Sequence, residues 1–209
     1  SRADSVTRWR LRSSSTATGS KTTAAKKDTV KKKSADTVAA APIVYPPIDH
    51  AKYDSLMKKL ANGDTTGRWP VKQAPYPLPG AILPYKRVVA FYGNLYAKKM
   101  GILGEIPPTE MLAKLKGEVK RWEKADPTTP VQPALHYIAV VASGSPGKDG
   151  MYRNRMPSKQ IDSVLRMAKR INAIVFLDIQ VALSNIHSEL PLLEKYWEMP
   201  NVHCGIDPE

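Results

Sequence analysis

A chain of 209 residues, 42% apolar and 24% charged, can bury a sizeable core and has the composition of a globular protein. No apolar run approaches the roughly 18 residues that a membrane-spanning helix needs. The net charge of +13 is unevenly spread: residues 1–42 hold ten Lys/Arg against three Asp, and the other 167 residues hold 22 Lys/Arg against 16 Asp/Glu. So concentrated a basic segment suits an anionic partner such as lipid headgroups, an acidic protein face or nucleic acid. One cysteine, Cys204, excludes an intrachain disulfide. The chain opens on Ser1 rather than Met, so any targeting sequence is expected upstream.

Residues 1–42 are low in complexity, with Ser13-Ser14-Ser15-Thr16, Lys31-Lys32-Lys33 and Ala39-Ala40-Ala41, and with Trp9 and Leu11 as large apolar residues. Such a stretch cannot offset its ordering entropy, so order in it would need a partner. Residues 43–86 begin with a short helix. Asp49 caps it, Tyr53, Leu56, Met57 and Leu60 share a face, and Asn62-Gly63 ends it. Pro70, Pro75, Pro77, Pro79 and Pro84 then predict an extended strap over the domain, anchored by Trp69, Tyr76 and Tyr85.

From Arg87 to Glu209 the pattern repeats. Apolar runs at 87–92, 134–142, 173–180 and 201–207 predict buried strands. Between them lie amphipathic helices. The first is capped by Thr109 and shows a stripe of Met111, Leu112, Leu115, Val119 and Trp122. The second starts near Pro157, with Ile161, Val164, Leu165, Ala168 and Ile171 inward. The third starts at Ser184 or Ser188, and Pro191 blurs its beginning. Alternating apolar strands and helices mean an α/β fold with a parallel sheet. Polar residues at the strand ends (Tyr92-Gly93-Asn94, Asp178 with Gln180, Asp207 with Glu209) favour a partial, half TIM-type (β/α) barrel of four parallel strands.

Phe91-Tyr92-Gly93-Asn94, Met100 to Glu105, Pro130 to Leu135, Phe176-Leu177-Asp178-Ile179-Gln180 and Asn201 to Glu209 resemble an uncharacterised family of exported bacterial TIM-barrel proteins, distantly glycoside-hydrolase-like. The resemblance covers about residues 87–209. It implies a barrel fold and an exported, periplasmic or envelope-associated location, and it carries no assigned reaction. Where that family has a glycine and a polar residue after Asp-Ile-Gln, this chain has Ala182-Leu183, which removes polarity from the barrel mouth.

Asp178, Asp207 and Glu209 are the candidate catalytic carboxylates, since glycoside hydrolysis needs two carboxyls roughly 5–10 Å apart. The competing reading has Asp178 and Asp207 capping helices or binding backbone amides at an exposed rim. His136, His187 and His203 lack short metal-ligand spacing, so no metal and no cofactor are expected, and the strand histidines read as satisfied core residues. Cys204 reads as a buried, inert thiol facing away from its neighbour His203. Gly144-Ser145-Pro146-Gly147-Lys148-Asp149 lacks the spacing of a phosphate loop and reads as a surface turn.

Two functions follow. The first is a non-catalytic accessory subunit, docked through tail and strap on a larger membrane-associated envelope complex, respiratory or photosynthetic for example. Its partners would be other protein subunits or an anionic membrane surface, met by Arg8, Trp9, Arg10, Lys26, Lys27, Lys31, Lys32 and Lys33. Nucleic acid is disfavoured, because one aromatic in the tail offers little base stacking. The second is an exported carbohydrate-active hydrolase that uses rim carboxylates.

Overall fold

The computed structural model describes residues 44–208 apart from 70 and 72. Five strands form one sheet. β1 (Arg87–Gly93), β2 (Val131–Ala142), β4 (Ile174–Gln180) and β5 (Val202–Asp207) lie parallel and neighbour one another in that order, as the four apolar runs predict. β3 (Arg153–Arg155) pairs antiparallel with the end of β2 and has no apolar run to announce it.

Every connection between the parallel strands packs against the same face of the sheet. Leu135, Tyr137, Val175, Leu177 and Ile179 share one core with residues of four helices: α2 (Ile102–Glu105), α3 (Pro108–Ala125), α4 (Ser158–Lys169) and α6 (Glu194–Trp197). α4 shows most of the expected inner face: Ile161, Val164 and Ala168 are buried with Met167 added, whereas Leu165 is partly buried and Ile171 lies beyond the helix end. Each such side chain contributes on the order of 1.5–3 kcal/mol by leaving water. Among the described residues no helix is long and apolar enough to cross a membrane.

Several expectations need correction. Thr109 does not cap α3: the helix starts two residues earlier than that cap would place it, with Pro107 at the cap position and Pro108 as the first helical residue, where a missing N–H costs nothing. Trp122 is half-exposed and lies under the Arg87 guanidinium, 4.9 Å from ring centre to Cζ. The third helix is three short pieces: α5 (Ile186–Glu189), a 3-10 turn at Leu190–Leu193, and α6. Asn185, not Ser184 or Ser188, caps α5 by accepting from Ser188 N.

The early helix α1 (His50–Ala61) forms as read, with Asp49 accepting from Lys52 N and Asn62 in the left-handed region. The strap, however, is anchored on α1 rather than over the sheet. Tyr76 stacks on His50 at 4.0 Å and donates to Asp54, while Trp69 is half-exposed.

The loop after β4 turns through Ala182, whose φ of 47° is left-handed. A Cβ makes that conformation cost about 1 kcal/mol, which glycine avoids. Ala182→Gly should therefore raise stability by about 1 kcal/mol in a urea melt. A neutral or destabilising result would mean that the turn is not held in this conformation.

Candidate acid–base site

Strand alternation and parallel register settle which side chains meet on the face that the helices leave uncovered. Tyr92, His136, Phe176 and His203 stand opposite one another across β1, β2, β4 and β5. Two residues further along each strand the same face carries Asp178 opposite Gly205, then Gln180 opposite Asp207. Tyr92, Asp178, Gln180 and Asp207 lie toward the C-terminal ends of their strands, where parallel sheets assemble their sites. His136 is in the middle of β2, and Phe176 and His203 lie in the first halves of β4 and β5.

Asp178 is the centre of the cluster and is only 3% exposed. This corrects the exposed-rim expectation: the carboxylate is buried, and its partners are side chains rather than a helix terminus. The Tyr92 hydroxyl donates to its Oδ2 at 3.4 Å, and His136 Nε2 stands 3.5 Å from its Oδ1. Neither contact is tight, yet both supply polarity that a buried carboxylate needs. Gln180, also buried, accepts from Ala142 N and donates to Tyr92 Oη and Asp207 Oδ2, each at 3.4 Å. Asp207 is thus joined to the cluster through Gln180, which stands between the two candidate carboxylates. Glu209 lies outside the described residues, as do Arg8, Trp9, Arg10, Lys26, Lys27, Lys31, Lys32 and Lys33.

The histidines are not the satisfied core residues that were expected. Nε2 of His136 and Nε2 of His203 are both enclosed without a hydrogen-bond partner. Burial lowers the His203 pKa, so that imidazole is neutral at pH 7. The two rings flank Phe176 at 5.4 Å each, and Tyr92 meets His136 edge-on at 5.0 Å. About 30% of the His136 side chain is exposed, so His136 is the member of the His136–Asp178 couple that meets solvent. Among the described residues no three of His, Cys, Asp and Glu are grouped as a metal ion would require. Cys204 faces the opposite way, as alternation predicts, but it is exposed rather than buried, although Val202 on the same side of β5 is part of the core. Burial of its immediate surroundings, with Asp178 beside it, raises the thiol's pKa and keeps it protonated.

A second polar cluster escaped sequence reasoning. Glu189 is fully buried and accepts from Arg153 Nε (2.7 Å), Arg155 Nε (2.6 Å) and Ser184 Oγ (2.5 Å). Arg153 also holds Asp149 at 2.8 Å. Burial would raise the Glu189 pKa, but Arg155, Ser184 and Arg153 outweigh it and bring the group to about 2. The cluster clamps β3 and the 143–150 turn onto α5. It is built for rigidity, since every charge in it is matched.

Fold and site together define an α/β protein whose mainly parallel sheet carries a polar cluster of Tyr92, His136, Asp178 and Gln180 on one face. Comparison with family models, curated proteins and solved structures returns no match.

Proposed function

We propose that the chain is a half-barrel domain that performs acid–base chemistry on a hydroxylated, carbohydrate-type substrate at the open face of its sheet. The observation that carries this reading is the couple of buried Asp178 and partly exposed His136, joined by Tyr92 on one face of the sheet. A doubly wound sheet reverses its strand order and carries helices on both faces. Here the order is sequential and the helices share one face, which supports the barrel-type reading. The left-handed Ala182 falls where the resembled family carries glycine, which supports the resemblance.

In this reading His136 moves the proton. Its Nε2 faces Asp178, which orients the ring and stabilises the imidazolium formed when Nδ1 takes a proton from water or a substrate hydroxyl. Asp178 is a positioning residue, not one of two open carboxylates flanking a glycosidic bond. The test is turnover of a panel of glycosides and sugar esters by the full chain. His136→Gln should lose about 100-fold or more, and Asp178→Asn should also lose activity while keeping the fold. An inactive parent, or His136→Gln equal to the parent, overturns the proposal.

A second reading, the accessory subunit of an envelope complex, is supported by the end of β5, where Cys204 and Ile206 are exposed. The exposed Ile206, on a strand that has no further neighbour among the described residues, suits a protein partner. In that case Lys31, Lys32 and Lys33, replaced together by Gln, should weaken association, most visibly at low salt. Association unchanged across a salt titration would count against it.

A further inference from the structure

At the other end of β1, away from the acid–base cluster, α1 and the strap enclose a groove of about 570 Å³. That is within the span of small-molecule sites, roughly 300–1,000 Å³. Its walls are apolar: Leu56, Met57 and Leu60 come from α1, and Trp69 and Leu83 from the strap. No residue of α1 is buried, although the helix is amphipathic, so its apolar stripe faces this groove rather than the core. Leu60, Trp69 and Leu83 stay exposed. Burying them against a ligand would release the free energy that folding leaves unclaimed.

Charge around the groove is one-sided. Lys59, Lys86 and Arg87 line it, against a single carboxylate, Asp126. Asp126 is already held by the Thr128 hydroxyl and by Arg87 Nη2, and hydrogen bonds from Thr128, then Thr129, and to a lesser degree Arg87 lower its pKa and keep it ionised. Arg87 is committed to Asp126 and its Nη1 is buried, so the cations free to meet a ligand are Lys59, which makes no ion pair among the described residues, and Lys86, which reaches only Gln132 Oε1 at 3.4 Å. An apolar trough with surplus cationic donors at its margin matches an amphiphile with an anionic head.

We propose that this groove binds a single acyl chain carrying an anionic headgroup, with the chain along Leu56, Leu60, Trp69 and Leu83 and the head at Lys59 and Lys86. The inference is independent of the acid–base reading, which uses the opposite end of the sheet. A fatty carboxylate and an anionic phospholipid share the recognising chemistry.

The test is titration of the full chain with monomeric dodecanoate, followed by calorimetry and by Trp emission. Saturable one-to-one binding is expected. Leu60→Asp should weaken it at least tenfold without lowering the melting temperature, because Leu60 is 58% exposed in the free protein. Lys59→Ala with Lys86→Ala should weaken dodecanoate and leave neutral dodecanol nearly unchanged. Lysophosphatidylglycerol competing with dodecanoate would identify a lipid source, and failure to compete a free fatty acid; either result fits the site. Absence of saturable binding overturns the proposal. So does binding that survives Leu60→Asp but vanishes at high salt, because that would be adsorption on the basic residues 1–42. Association with anionic vesicles alone, without monomer binding, overturns it as well.

Discussion

Glu189→Gln is expected to destabilise the protein by about 3 kcal/mol, because it removes the anion that two arginines and a hydroxyl share in a fully buried position. Arg153 would keep Asp149, but its Nε and the Arg155 guanidinium would face a neutral amide inside the fold. The pH dependence gives an independent check. The folded pKa of Glu189 lies near 2, below the ordinary value of 4.5, so the unfolded chain binds the proton first. The stabilisation is therefore complete above about pH 4.5 and is lost as pH falls toward 2. Urea melts between pH 7 and pH 2.5 should show the parent losing this contribution while Glu189→Gln shows no such loss. A cost under 1 kcal/mol at pH 7 would mean that the clamp is not formed in solution.

Gly205→Ala should break the acid–base cluster through space alone. A Cβ there would stand 2.8 Å from Asp178 Oδ1 and 3.1 Å from His136 Nε2, and the short Asp178 side chain has no room to retreat in a buried strand. Gly205 is not in the left-handed region, so the backbone tolerates alanine, and the whole effect falls on the carboxylate and the imidazole. Overpacking of this kind costs about 1–3 kcal/mol. The larger consequence is functional: any turnover that depends on His136 should fall with the couple that orients it. Gly144→Ala is the control, since nothing lies within 4 Å of its added Cβ. If Gly205→Ala matches that control in both melting temperature and turnover, Asp178 and His136 are not held together as described.

Much of the architecture was legible because its signals are local. The apolar runs mark the four parallel strands to within about three residues at each end, and Asp49 and Asn62 mark both ends of α1, since capping acts within a single turn. Most of the apolar positions of α4 likewise read correctly from helical spacing. Where two local signals competed, reading failed: Thr109 lost the cap of α3 to the prolines before it, and Pro191 broke the third helix into pieces.

The site lay outside that reach. Tyr92, His136 and Asp178 are dozens of residues apart and come together only through strand register, which no local pattern encodes. The sequence marked Asp178 as polar at a strand end, but only the sheet showed that it is buried and faces His136. Glu189 and its arginines are further apart still in kind. β3 carries no apolar run, and its place depends on an ion pair spanning 36 residues from Arg153. Exposure of Cys204 was equally beyond alternation, which says which way a strand residue points but not whether anything covers it. Backbone propensity and capping act over a few residues, whereas register, burial and charge pairing are set by which surfaces pack together.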